Sequence, residues 1–168
     1  MTTLYNASIP VFRQLLTALG DVLSKAEAHA TDKKIDPTVL LQSRLYPDMF
    51  PLVRQVQIAS DFAKSVPSRL AGIEVPAYDD SEQTFAELQT RIKNTLSILD
   101  GISASQMDGK ESLEIVLRPN TPKEKKLNGE TYLLNYGLPQ FFFHVTTAYA
   151  ILRHNGVEIG KRDYMGAY

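Results

Sequence analysis

The chain has 168 residues, enough for one domain with a sizeable core. Hydrophobic residues make up 43% and charged residues 22%, an ordinary globular balance, and a formal net charge of −1 gives no reason to expect nucleic acid or an anionic membrane as partner. There is no cysteine, which excludes disulfides, thiolate catalysis and zinc–thiolate sites.

The first element is a helix from Ile9 to Ala28, whose apolar residues fall at 9, 12, 15, 16, 19, 22, 23 and 26. Ser8 is positioned to cap it, and Pro10 is tolerated in a first turn. A charged connector leads to Asp36-Pro37, a cap followed by proline that opens a short helix. The dense turn Arg44-Leu-Tyr-Pro-Asp48-Met-Phe-Pro51 follows. Asp48 reads as the cap of a second long helix over 49–70, with a stripe of Leu52, Val56, Ala59, Phe62, Ala63, Val66 and Leu70 that Gln55 interrupts. Pro67 should kink or shorten its end, and Gly72 suits a C-terminal cap. Residues 73–80 form an extended crossing. Asp80 with Gln83 predicts a capping box for a third helix carrying Phe85, Leu88, Ile92, Leu96 and Leu99 up to Gly101.

The periodicity then changes. Leu113, Ile115 and Leu117 alternate with polar residues as in a strand, Pro119 to Pro122 make a turn, and Lys123 to Leu127 supply a return strand. Such a hairpin should lean on the helices, because alone it is marginal. A short helix around Tyr132, Leu133 and Tyr136 precedes a final helix from Pro139 to Asn155-Gly156, apolar nearly all round and expected to be the most buried element. No internal repeat or linker interrupts the chain, so residues 1–168 read as a single all-α domain: a four-helix bundle with a small β-hairpin between helices three and four. No run approaches the roughly 20 apolar residues that span a bilayer. The first residues show no signal-peptide pattern, and a cytoplasmic location is expected.

The candidate chemistry lies on the last helix. Gln140, His144 and Thr147 are spaced i, i+4 and i+7, one polar stripe on an apolar helix. Gln55 interrupts the facing stripe on helix two, so these four are expected to share an interior groove with Asp48 near its rim. His144 is the candidate acid or base; Asp48, Gln55, Gln140 and Thr147 are candidate ligand-binding residues. The same pattern also fits a buried hydrogen-bond network without a ligand. His144 and His154 stand about 15 Å apart along the helix axis and cannot share a metal ion. His29 reads as a solvated residue at the polar end of helix one, His154 with Arg153 as a last-turn capping charge that favours the helix dipole, and Lys123 to Lys126 as solvated charge.

The strings Arg44-Leu-x-Pro-Asp48-Met-Phe-Pro, Pro139-x-Phe-x-Phe-His144-Val-Thr-Thr-Ala-Tyr-Ala-Ile-Leu-Arg-His154 and Gly156-Val-x-Ile-Gly-Lys161-x-Asp163-Tyr together resemble a bacterial family of unknown function in the DinB/YfiT-like superfamily. The resemblance covers essentially the whole chain. It implies a four-helix bundle with an unusual connection between helices two and three, often a homodimer, and in many members a metal-dependent enzyme acting with low-molecular-weight thiols. The superfamily's metal motif takes one histidine from helix two and two, four residues apart, from helix four. Here helix two has no histidine, and the residues four away from His144 are Gln140 and Ala148. No cofactor is therefore assigned, and a divalent metal would need atypical ligands. Two functional classes follow: a small-molecule-binding or structural module with a degenerate metal site, or an enzyme using His144, with or without a metal.

Overall fold

A computed structural model describes residues 2–168. The first long helix, α1 (Ile9–Lys33), buries all eight apolar positions of its stripe and runs past Ala28 to a left-handed Lys34. Ser8 stands at its start but does not cap it; its hydroxyl donates back to the Leu4 carbonyl at 2.6 Å. The short α2 (Pro37–Leu41) is capped by Asp36, which accepts from the Thr38 N–H.

The second long helix, α3 (Leu52–Ala71), begins four residues after Asp48, so Asp48 is not its cap. Pro51 disfavours helical geometry at Phe50, which pushes the start beyond it. Pro67 lies inside the helix without ending it, and a left-handed Gly72 closes it. The crossing is longer than 73–80. The third long helix, α4 (Phe85–Asp100), is capped by Thr84 with Glu87, not by Asp80 with Gln83. A short α5 (Ala104–Met107) follows.

Strands β1 (Glu114–Leu117) and β2 (Lys125–Asn128) pair antiparallel, Ile115 opposite Leu127. Ile115 is buried, and Leu117 and Leu127 pack on the core, so the hairpin leans on the bundle. Helical structure then resumes in α6 (Gly129–Thr131) and passes through a π-helical turn, Tyr132–Gly137, into α7 (Leu138–His154). The break expected at Pro139 is absent. Pro139 sits in the first turn of α7, where its missing N–H is not required. Gly137 lets α7 approach α3 closely, since a Cβ there would lie 2.7 Å from Val66. The tail buries Val157 and Ile159, then forms α8 (Lys161–Met165) against α1.

α3 packs on both α4 and α7, and α1 closes the ring by packing on the same two. The consecutive long helices α1 and α3 are thus diagonal neighbours, which is not simple up-down-up-down order. The most buried long helix is α3, with thirteen of twenty residues buried, against eight of seventeen in α7. An all-round apolar sequence overstated α7, because Phe143 is 56% exposed. Among the described residues, no helix is long and apolar enough to cross a membrane.

Candidate functional site

The seam between α3 and α7 contains a short polar relay. His144 Nδ1 lies 2.7 Å from Gln55 Oε1, and Gln55 Nε2 donates to the Phe50 carbonyl at 3.0 Å. A carbonyl only accepts, so the Gln55 amide nitrogen must face Phe50. Its oxygen must then face His144, and Nδ1 is assigned the proton. Nε2 is left as a lone-pair acceptor. It has no partner among the described residues and is not sealed from solvent. Phe62 stacks parallel to the imidazole at 6.2 Å between centroids, and Phe143 meets it edge-on at 5.1 Å. Burial, aided by the nearby Arg54 charge, pushes the His144 pKa down to about 4. The ring is therefore neutral at physiological pH, an acceptor that cannot serve as a proton donor through imidazolium.

The other candidates separate from this pair. Thr147 donates to the Phe143 carbonyl one turn back, at 2.7 Å, the usual way a helical threonine satisfies its hydroxyl. Gln140 lines a groove of about 260 Å³ under the hairpin, with Leu117, Arg118, Lys123, Lys125 and Tyr136. Asp48 is exposed in the loop before α3. A second groove, about 400 Å³, is lined by Arg54, Asp61, Phe62, Arg69, Arg118 and Tyr136 among others. The two grooves share Leu117, Arg118 and Tyr136, and Phe62 links the larger one to His144.

The three-histidine metal set of the superfamily does not fit these residues. The α3 side chain facing His144 is an amide whose oxygen is already engaged by Nδ1. Ala148 and Gln140 occupy the positions one turn either side of His144. Among the described residues, no three histidine, aspartate or glutamate side chains gather as a ligand set.

A second polar centre was not legible in the sequence. Arg91, on α4, is 3% exposed. Its Nη2 donates to Asp61 at 2.9 Å and to the Gln57 carbonyl at 3.1 Å, and its Nη1 to Glu82 at 2.9 Å, with Asp80 at 2.8 Å. Lys64 also reaches Asp61 and lies 3.6 Å from the centre of the Tyr78 ring; the Arg91 guanidinium shares that ring. Burial opposes the Arg91 charge, but the Glu82 hydrogen bond and the Asp61, Glu82 and Asp80 charges hold its pKa above the ordinary value. Burial likewise opposes ionisation of Asp80 and Glu82. Hydrogen bonding from Arg54 to Asp80 and from Arg91 to Glu82 nonetheless keeps both below the usual carboxylate range. This cluster ties the 73–84 crossing to α3 and α4. It explains why Asp80 is not a helix cap: its carboxylate is committed to Arg54 and Arg91. The only signal available beforehand was an arginine near the apolar stripe of a helix, one residue before Ile92.

The model of a domain of unknown function, DUF1993, matches residues 4–165. The crystal structure of a DinB family member protein from Shewanella denitrificans is 45% identical to the chain. It covers 98% of this chain and 93% of its own, with a TM-score of 0.92. A search of curated proteins finds no match. With the bundle, the diagonal topology and this likeness in hand, the chain belongs to the DUF1993 family of DinB-like helical domains.

Proposed function

We propose that the protein is a small-molecule-binding DinB-like bundle whose ligand is met on the His144 face. The observation that carries this is the unspent acceptor. Gln55 fixes the ring and its tautomer, while Nε2 has no partner among the described residues, is within reach of solvent, and lies on the ring that Phe62, a lining residue of the larger groove, stacks against. Because Nε2 is open to solvent, a donor group of a ligand can replace water on it without breaking any bond within the chain. The lowered pKa favours a fixed hydrogen-bond acceptor over an acid–base catalyst, so binding is preferred to a reaction run through imidazolium.

The test is a thermal-shift screen of a metabolite library against the wild-type protein and the His144→Ala and His29→Ala variants. The expected result is a ligand that raises the melting temperature of wild type and His29→Ala but not of His144→Ala. Ligands that stabilise all three equally would remove His144 from the site. Metal analysis after dialysis against a mild chelator tests the companion proposal that the metal site is degenerate. Stoichiometric metal that is lost in His144→Ala would overturn it.

A further inference from the structure

The two grooves beside His144 are unusually cationic for a chain whose formal net charge is −1. Arg69, Arg118, Lys123 and Lys125 line them, and none of these four is in an ion pair among the described residues. The one carboxylate in the lining, Asp61, is already shared by Lys64 and Arg91. Glu124, on the hairpin, is turned onto the Asn120 N–H at 2.9 Å. Arg69 donates to the neutral Tyr132 hydroxyl at 3.0 Å, which leaves its charge unanswered, and four side chains of one sign around joined concavities raise the local potential in favour of an anion.

The lining also has an ordered apolar component. Tyr136 and Phe62 line the grooves and meet edge-on at 5.8 Å; outside the lining, the buried Tyr132 stacks on Tyr136 at 5.8 Å and Phe62 stacks on the His144 ring. An aromatic row therefore runs from Tyr132 through Tyr136 and Phe62 to the face of the His144 ring. Its two tyrosines lie in the π-helical turn, a distortion that recurs at functional sites. Arg118, shared by both grooves, holds a left-handed backbone with φ 51°, a conformation that strains a non-glycine residue.

We infer that the joined grooves form one cleft for a small anion with a flat apolar body. Arg118, Arg69 and the hairpin lysines hold the carboxylate or phosphate, and Tyr136 and Phe62 hold the body. Guanidinium groups suit this role because their donors match the paired oxygens of either anion. The inference rests on reading the His144 face as a ligand site, and it specifies the ligand's chemistry.

Calorimetric titration of the full chain with 2-naphthoate, 2-naphthyl phosphate and neutral 2-naphthamide tests it. At least one anion should bind, with the amide about tenfold weaker, and added salt should reduce the difference. The double variant Arg118→Gln/Lys125→Gln changes two exposed hairpin residues, and an unchanged melting temperature would confirm that it folds. It should weaken the anion about tenfold and leave the amide unaltered. Failure of both anions to bind, an amide as tight as the anions, or unchanged anion affinity in the double variant would each overturn the cleft. His144→Ala separates the two proposals. Anion binding that survives it but is lost in the double variant keeps the cleft and removes His144 from the site. Binding lost in His144→Ala but not in the double variant does the reverse.

Discussion

Helix α3 buries polar groups on two sides, and the two sides are built differently. Toward α4 and the crossing, Asp61, Lys64, Arg91, Asp80 and Glu82 form a closed ionic cluster. Toward α7, Gln55 and His144 form a neutral relay that ends in an Nε2 without a partner among the described residues. In the first, charge has been answered by charge from the same chain, and little is left to offer a ligand; Arg91 Nε is sealed away without a partner among the described residues. In the second, one acceptor remains available. Burial of polarity alone therefore does not mark a site. The proposed site is placed on the His144 side because hydrogen-bonding capacity that solvent can reach is left there.

The sharpest way to break this distinction is Arg91→Met. It would leave Glu82 without a cation and Asp61 and Asp80 held by Lys64 and Arg54 alone, and a broken buried ion pair costs about 3–5 kcal/mol. Urea denaturation should show that loss, and the melting temperature should fall by roughly 10 °C or more. A loss under about 1 kcal/mol would mean that the cluster is not the clamp described here.

His144→Ala should cost less, about 1–3 kcal/mol at neutral pH, mostly because the Gln55 oxygen loses its donor. The hydrogen bonds of the Arg91 cluster should survive, and amide exchange across α4 reads this directly. Exchange that accelerates equally in α4 and α7 would show the two regions to be one cooperative network.

Acid should separate the regions by pH window. Folding lowers the His144 pKa from 6.5 to about 4, so within that interval the unfolded chain binds the extra proton. Stability therefore falls as pH drops from 6.5 toward 4, by on the order of 2 kcal/mol after allowing for the solvent-reachable ring edge. His144→Gln should flatten that segment of the curve. Asp80 and Glu82 act in the same direction but in a lower pH window. Their pKa values are held low, so their contribution is full above the usual carboxylate range and is lost only as pH falls through it. A wild-type curve that is flat between pH 6.5 and 5 would contradict the burial of His144.

The smallest expected effect concerns the residue between the regions. Arg54 pairs with Asp80 on one side and disfavours protonation of His144 on the other. Arg54→Gln removes a half-exposed ion pair and should change stability by less than about 1 kcal/mol. It should also raise the His144 pKa, visible in the ring nitrogen shifts on titration. An unmoved or lowered pKa would mean that burial alone sets it.

Local signals read well wherever a residue answers to its own neighbours. The stripe from Ile9 to Ala26, the Asp36-Pro37 start, the Gly72 stop and the alternation through Ile115 all appear in the fold, because burial and capping act within a few residues. Caps read less well where a better partner lay elsewhere in the chain. Asp80 looked like a helix start until Arg54 and Arg91 claimed it, and Thr84 took the role. On α7, the stripe of Gln140, His144 and Thr147 was drawn correctly as spacing, yet each residue found a different neighbour: the hairpin groove, Gln55 and the helix's own backbone.

The sequence by itself determined the helical class, the hairpin's place and the pairing of interrupted stripes that brings Gln55 to His144, since hydrophobic period decides which faces meet. Only the tertiary structure decided which polar groups are spent and which are free. That depends on partners distant in the chain: Gln55 and His144 are 89 residues apart, and Arg91 and Asp61 are 30. Whether such a pair closes on itself or leaves an atom facing solvent is set by how the helices pack, and no local pattern encodes it.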